Sequence, residues 1–112
     1  MIINLTPHAV ALHLPGGEVV TLPPSGVVAR VGSQPGSPLP PIEGVACFTS
    51  PQWGEVVDLP SPQEGVALLV SGLVAGRVCR VDVFSPGTGP QDGAVRNAAG
   101  QIAGVTRLIR SC

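Results

Sequence analysis

The chain is expected to be a mainly β protein, a curled antiparallel sheet or small barrel-like domain carrying one short helix. Three observations predict this. Valine is abundant, and Gly (15) and Pro (13) recur every few residues among 112, the pattern of short strands joined by tight turns. Hydrophobic residues make up 44% of the chain, which excludes a disordered polar segment. Aromatics are only 3%, so the core must be built from Val, Leu, Ala and Ile. At 112 residues the chain is read as a single domain, 1–112, small enough that association would help to cover its apolar surface.

The elements follow in order. Ile2 to Leu5 is a first strand, ended by Thr6-Pro7 because proline cannot donate to a sheet ladder. Val10 to Leu14 and Glu18 to Leu22 flank Pro15-Gly16-Gly17, a hairpin signal. Pro23-Pro24-Ser25-Gly26 is a turn before a strand at Val27 to Val31. Residues 32–41, GSQPGSPLPP, read as a loop too rich in proline for regular structure, a flap or an arm reaching a neighbouring subunit. Strands are expected at Gly44 to Thr49 and Glu55 to Leu59, with Trp53 and Gly54 in or near the turn between them. Pro60-Ser61-Pro62 closes that unit.

The longest apolar run is Gly65 to Val78. Within it Val66 to Val70 reads as a fully buried strand. Ser71 is placed to cap a helical turn through Leu73, Val74 and Ala75 that ends near Gly76. Val81 to Phe84 returns as a strand, and a polar loop over 85–93 leads to Ala94-Val95-Arg96. Asn97 to Gly100 forms a turn, and Gln101 to Ile109 is the last strand.

All six basic residues are arginine: Arg30, Arg77, Arg80, Arg96, Arg107 and Arg110. A guanidinium grips phosphate or carboxylate through two parallel hydrogen bonds, so such a set suits a small anion; a GC-rich coding bias is the simpler explanation of the composition alone. At a net charge of −1 long-range attraction to a nucleic-acid polymer is not expected, which leaves room for a local basic pocket. No stretch approaches a membrane span of about 20 apolar residues, and residues 1–8 lack the pattern of a signal peptide. Three widely spaced cysteines, Cys47, Cys79 and Cys112, fit structural or free thiols in a reducing cytoplasm better than a disulfide framework.

Catalytic and metal-binding patterns are poor. His8 and His13 are the histidines, no zinc spacing or nucleophile elbow occurs, and no carboxylate pair stands out, so neither metal nor cofactor is expected. Gly87-Thr88-Gly89 leaves backbone N–H groups open to an anion but lacks the phosphate-loop pattern. Asn4, Thr6 and His8 surround a proline-stiffened turn; satisfying the turn's own backbone is their simpler role. Arg80 and Asp82, two apart, share a face if they lie on a strand, where an ordinary solvated ion pair is the default. Phe48 and Phe84 are expected to pack in the core.

The segments NLTPH (4–8), PPSGVVARV (23–31), LLVSGLVAGRV (68–78) and GQIAGVTRLIR (100–110) together resemble a group of short proteins from phages and bacterial genomes, often prophage-linked. By analogy of type, small β-rich phage proteins include "sponges" that sequester nucleotide immune signals such as cyclic ADP-ribose isomers or cyclic oligonucleotides. The resemblance so extended implies a non-enzymatic, homo-oligomeric, cytoplasmic binder of a small phosphorylated nucleotide. Its binding positions would be Thr6, His8, Arg30, Ser71, Arg80, Asp82, Arg96 and Arg107, with arginines on phosphates, Asp82 on a ribose hydroxyl or base amino group, and Trp53 stacking. A phage structural or protein-interaction module and a nucleotide-processing enzyme are the alternatives.

Overall fold

A computed structural model describes residues 1–112. Its centre is a four-stranded sheet built from β1 (Ile2–Asn4), β8 (Ala67–Leu69), β9 (Val83–Pro86) and β12 (Leu108–Arg110), in the order β1-β8-β9-β12. The chain is mainly β with one short helix, as expected, but the sheets are open and no barrel closes. The central sheet is also mixed: β1 and β9 both run parallel to β8, and only β12 is antiparallel. The apolar run from Gly65 explains this, because strands covered on both sides tolerate parallel pairing and lose the polar alternation of a one-sided sheet.

Between β8 and β9 the chain makes a short crossover through α1 (Gly72–Ala75). Ser71 is the N-cap, its hydroxyl accepting from the Val74 N–H at 3.3 Å, and the helix ends at Gly76. The cap and both ends of this turn lie where the sequence places them. Leu5, Ala29, Leu68, Val70, Val74, Ala75 and Val83 form the core beneath it, an aliphatic cluster without an aromatic ring.

Smaller two-stranded sheets surround this unit. β2 (Val10–His13) and β3 (Val19–Leu22) form the expected hairpin, with Gly17 at φ 91° in its turn. β10 (Val95–Arg96) pairs with β11 (Ile102–Gly104) across the Asn97–Gly100 turn. The single last strand expected over 101–109 is in fact two, β11 and β12. Val105 bridges to Leu12 while the chain bends at Thr106, so β11 serves the outer layer and β12 the central sheet.

The largest departure lies between residues 30 and 57. β4 (Arg30–Gln34) pairs with β7 (Gln52–Val57), and β5 (Pro38–Ile42) pairs with β6 (Val45–Phe48). The Thr49 N–H donates to the Ser37 carbonyl at 2.8 Å between the two ladders, so they form one continuous ribbon. The 32–41 segment is therefore largely strand and not a proline loop, and Trp53 and Gly54 sit inside β7 and not in a turn. Prolines are tolerated because each strand of a lone ribbon has an outer edge with no ladder bond to lose. The tip turn, Glu43-Gly44, has positive φ at both residues (51° and 79°), the geometry of a tight two-residue hairpin.

This ribbon projects as an arm. The radius of gyration is 16.9 Å with extents of 54 × 39 × 25 Å, against about 13 Å for a compact domain of this length. Only 13 of the residues are buried.

Candidate functional site

Two features of the surface are candidates: a cleft beside α1 and the exposed arm. The cleft, about 320 Å³, opens beyond the carboxyl ends of the parallel strands β1 and β8. Thr6, Arg30 and Ser71 line it together with apolar side chains including Leu5, Val31 and Leu73. A parallel pair naturally leaves a crevice at this end, because the chain turns away in different directions after each strand.

Thr6 does not offer a free hydroxyl to that cleft. Its Oγ1 lies 2.6 Å from Asn4 Oδ1 and 2.9 Å from the His8 carbonyl oxygen, and its N–H donates to Asn4 Oδ1 at 2.9 Å. Asn4 is itself buried, donating from Nδ2 to the carbonyls of His8 (2.9 Å) and Leu22 (3.0 Å). Asn4 and Thr6 thus staple the end of β1 to β3, the structural role of the two that the turn allowed. The His8 side chain is exposed and outside the cleft.

The arginines do not meet in one hollow. Arg80 donates from Nε to Asp82 Oδ1 (2.9 Å) and from Nη2 to Asp82 Oδ2 (2.6 Å), and Nη2 also reaches the Pro60 carbonyl at 3.0 Å. The two residues lie in the turn leading into β9, not on a strand, and the Nε–Nη2 edge of the fork is engaged within the chain. Hydrogen bonding from Arg80 holds the Asp82 carboxyl below the ordinary carboxylate range. Arg96 donates to the Gly100 carbonyl at 2.8 Å across the β10–β11 turn. Arg110 caps the Cys112 carbonyl at 2.8 Å. Arg77 stacks over Trp53, 5.1 Å from the ring centroid, so that ring already has a cation on one face. Arg107 lies beside Gly87, whose N–H donates to the Arg107 carbonyl at 2.9 Å. Of the nine residues expected to bind ligand, three share the cleft, and among the arginines only Arg30 does.

The Gly87–Gly89 loop is likewise closed to an anion. The Gly89 N–H donates to Asp92 Oδ2 at 2.8 Å, placing a carboxylate where an anion would sit.

The arm presents the opposite chemistry. From Val31 to Gly54 its single charged residue is Glu43, at the tip. Cross-strand partners share a face, so Val31 with Val56, Ser33 with Trp53, and Leu39 with Cys47 lie on one side. Val45 continues that side two residues from Cys47, bringing its partner Ile42 with it. Val56 packs on the core, and the stripe then runs outward through increasingly exposed side chains: Trp53 39%, Leu39 46%, Val45 64% and Ile42 66%. Phe48, expected in the core, is 61% exposed near the tip on the opposite face, because its strand leaves the globule. Leu39, Ile42 and Val45 carry no chemistry of their own that marks them; the long uncharged span is the signal the sequence offers.

Fold and surface together define an open, mainly β protein with a projecting apolar β-arm. No protein-family model, no curated protein and no solved structure matches the chain. No helix is long and apolar enough to cross a membrane.

Proposed function

We propose that this chain is a structural, protein-interaction module that docks on another protein through its arm, the role of a minor component in a phage-type particle. The uncharged, solvent-facing stripe from Trp53 to Ile42 is the observation that supports it. Large contiguous apolar patches on small proteins mark interaction surfaces, and here the core is too small to account for them. Proline at 35, 38, 40, 41 and 51 removes ladder donors from the ribbon, which disfavours edge-to-edge strand addition and leaves face-on packing as the mode of contact. A photo-crosslinking residue at position 42 tests this in cells that make the protein. A covalent adduct with a protein is expected, and its absence overturns the reading.

A second reading, sequestration of a phosphorylated nucleotide by a homo-oligomer, draws support from the cleft. The Arg30 side chain, which lines it, has no hydrogen-bond or ion-pair partner within the chain, and Ser71 lines the same cleft. One guanidinium matches one phosphate, so a nucleotide would need arginines from a second copy. Thermal unfolding with cyclic ADP-ribose isomers and cyclic oligonucleotides tests it: a rise in Tm that Arg30→Ala abolishes is expected, and no rise removes this reading.

In either reading the protein is proposed to act in the cytoplasm of its host; Cys79 and Cys112 are joined by a disulfide, their Cα atoms 5.2 Å apart, which would form in the mature protein or on a particle surface exposed to oxidant. Thiol titration of protein taken from cells under acid quench distinguishes the two settings.

A further inference from the structure

We propose that the partner seated on the arm is a second copy of this chain, and that the tip, Ile42 to Val45, docks in the apolar cleft between β2 and β11 of that copy. The inference rests on the interaction reading above and names its partner. The receiving cleft is about 210 Å³, lined by apolar side chains that include Val10, Pro86, Ile102 and Val105 and by no charged residue. It matches a tip whose two large side chains, Ile42 and Val45, are cross-strand partners and point from one face.

Area supports the same occupant. The chain exposes 7437 Å², whereas a compact monomer of this mass exposes about 5,700 Å². The excess, about 1,700 Å² on each chain, is more than the roughly 800 Å² per partner that a standard stable interface buries, so the arm leaves each copy ample surface for one. A net charge of −1 leaves little repulsion between copies.

Charge sets the register. Glu43 is the one ionised side chain on the tip and has no partner within its own chain. Arg96 is the cross-strand partner of Ile102 in the receiving cleft, and its guanidinium is exposed, held only by the Gly100 carbonyl. With Ile42 and Val45 seated against Ile102, Glu43 of one copy faces Arg96 of the other. The Arg96 fork has donors to spare for a carboxylate after its bond to Gly100.

Sedimentation velocity of the purified full chain over a range of concentrations tests the proposal. Wild type is expected to self-associate. Ile42→Asp, E43R and R96E are each expected to raise the dissociation constant at least about tenfold, a loss of about 1.4 kcal/mol. The exposed positions leave the fold intact, which circular dichroism of each variant checks. The double variant E43R/R96E is expected to recover most of the lost affinity. A wild-type monomer at about 100 μM, well above typical specific affinities, overturns the inference. So does self-association indifferent to Ile42→Asp, or a charge swap that fails to restore what either single change removes. A monomeric chain that still gives an adduct with a different protein from position 42 sinks the second copy as partner and leaves the interaction reading standing.

Discussion

Cys112, the last residue, is bonded to Cys79 across 33 residues of sequence, with their Cα atoms 5.2 Å apart. The antiparallel pairing of β9 with β12 brings them together: Arg110 lies opposite Phe84, and the Ser111 N–H donates to the Val83 carbonyl at 2.9 Å. This corrects the expectation of unpaired thiols; an odd cysteine count is consistent with one bridge plus a free residue, Cys47. Ser111 reinforces the closure, exchanging hydrogen bonds of 2.9 and 2.8 Å with the Arg80 backbone.

Reduction is expected to weaken the fold substantially. Closing a loop of this length removes unfolded-state entropy worth about 3–4 kcal/mol. Urea unfolding with and without reductant measures it, and the double variant Cys79→Ser/Cys112→Ser is expected to match the reduced protein in both.

Asp82 gives the stability a pH dependence of known sign. Its carboxyl is held low chiefly by the hydrogen bonds from Arg80, so folding favours the ionised form. That contribution is complete above the ordinary carboxylate range and declines as pH falls through the lowered native value. Asp82→Asn is expected to cost about 1–2 kcal/mol near neutrality and to flatten the acid limb of stability against pH. Equilibrium unfolding from pH 7 downward checks both parts.

Asn4 is expected to be far more sensitive than His8. Asn4→Ala strips partners from the His8 and Leu22 carbonyls and from the Thr6 N–H and hydroxyl at a buried position. A loss of about 2–4 kcal/mol follows from leaving such groups unsatisfied. His8→Ala, at an exposed ring, should stay within about 0.5 kcal/mol. Denaturant midpoints of the two variants decide it.

Gly36 controls the arm without touching the core. A Cβ there would lie 1.8 Å from the Thr49 carbonyl oxygen, a backbone atom that cannot move without breaking the ribbon. Gly36→Ala is expected to abolish amide-exchange protection from Ser37 to Thr49 while β8 and β9 keep theirs. Hydrogen exchange read by mass spectrometry reports on both segments at once.

Much of the β content was legible because its signals are local. The Pro15-Gly16-Gly17 hairpin, the strand Ala67–Leu69 inside the span expected over Val66 to Val70, and the Ser71 cap depend on residues a few positions apart. The arm was not legible because proline density argues against strand wherever a segment might be central. Whether Pro38 and Pro40 lose a hydrogen bond depends on the ribbon having no third strand, a fact of topology. Of the cleft, Thr6, Arg30 and Ser71 carry local signals, and the role of Asn4 and Thr6 within their own turn is local too; which residues share one hollow depends on packing between distant strands.

By itself the amino-acid order determined that the protein is mainly β, that its core is aliphatic and that one capped helical turn lies within the longest apolar run. Tertiary structure alone decided which strands run parallel, which cysteines meet and where each guanidinium finds its partner. Periodicity and turn chemistry act over a few residues and are written in the chain. Pairing between distant segments depends on which surfaces compete for burial once all of them are present, and no single segment carries that information.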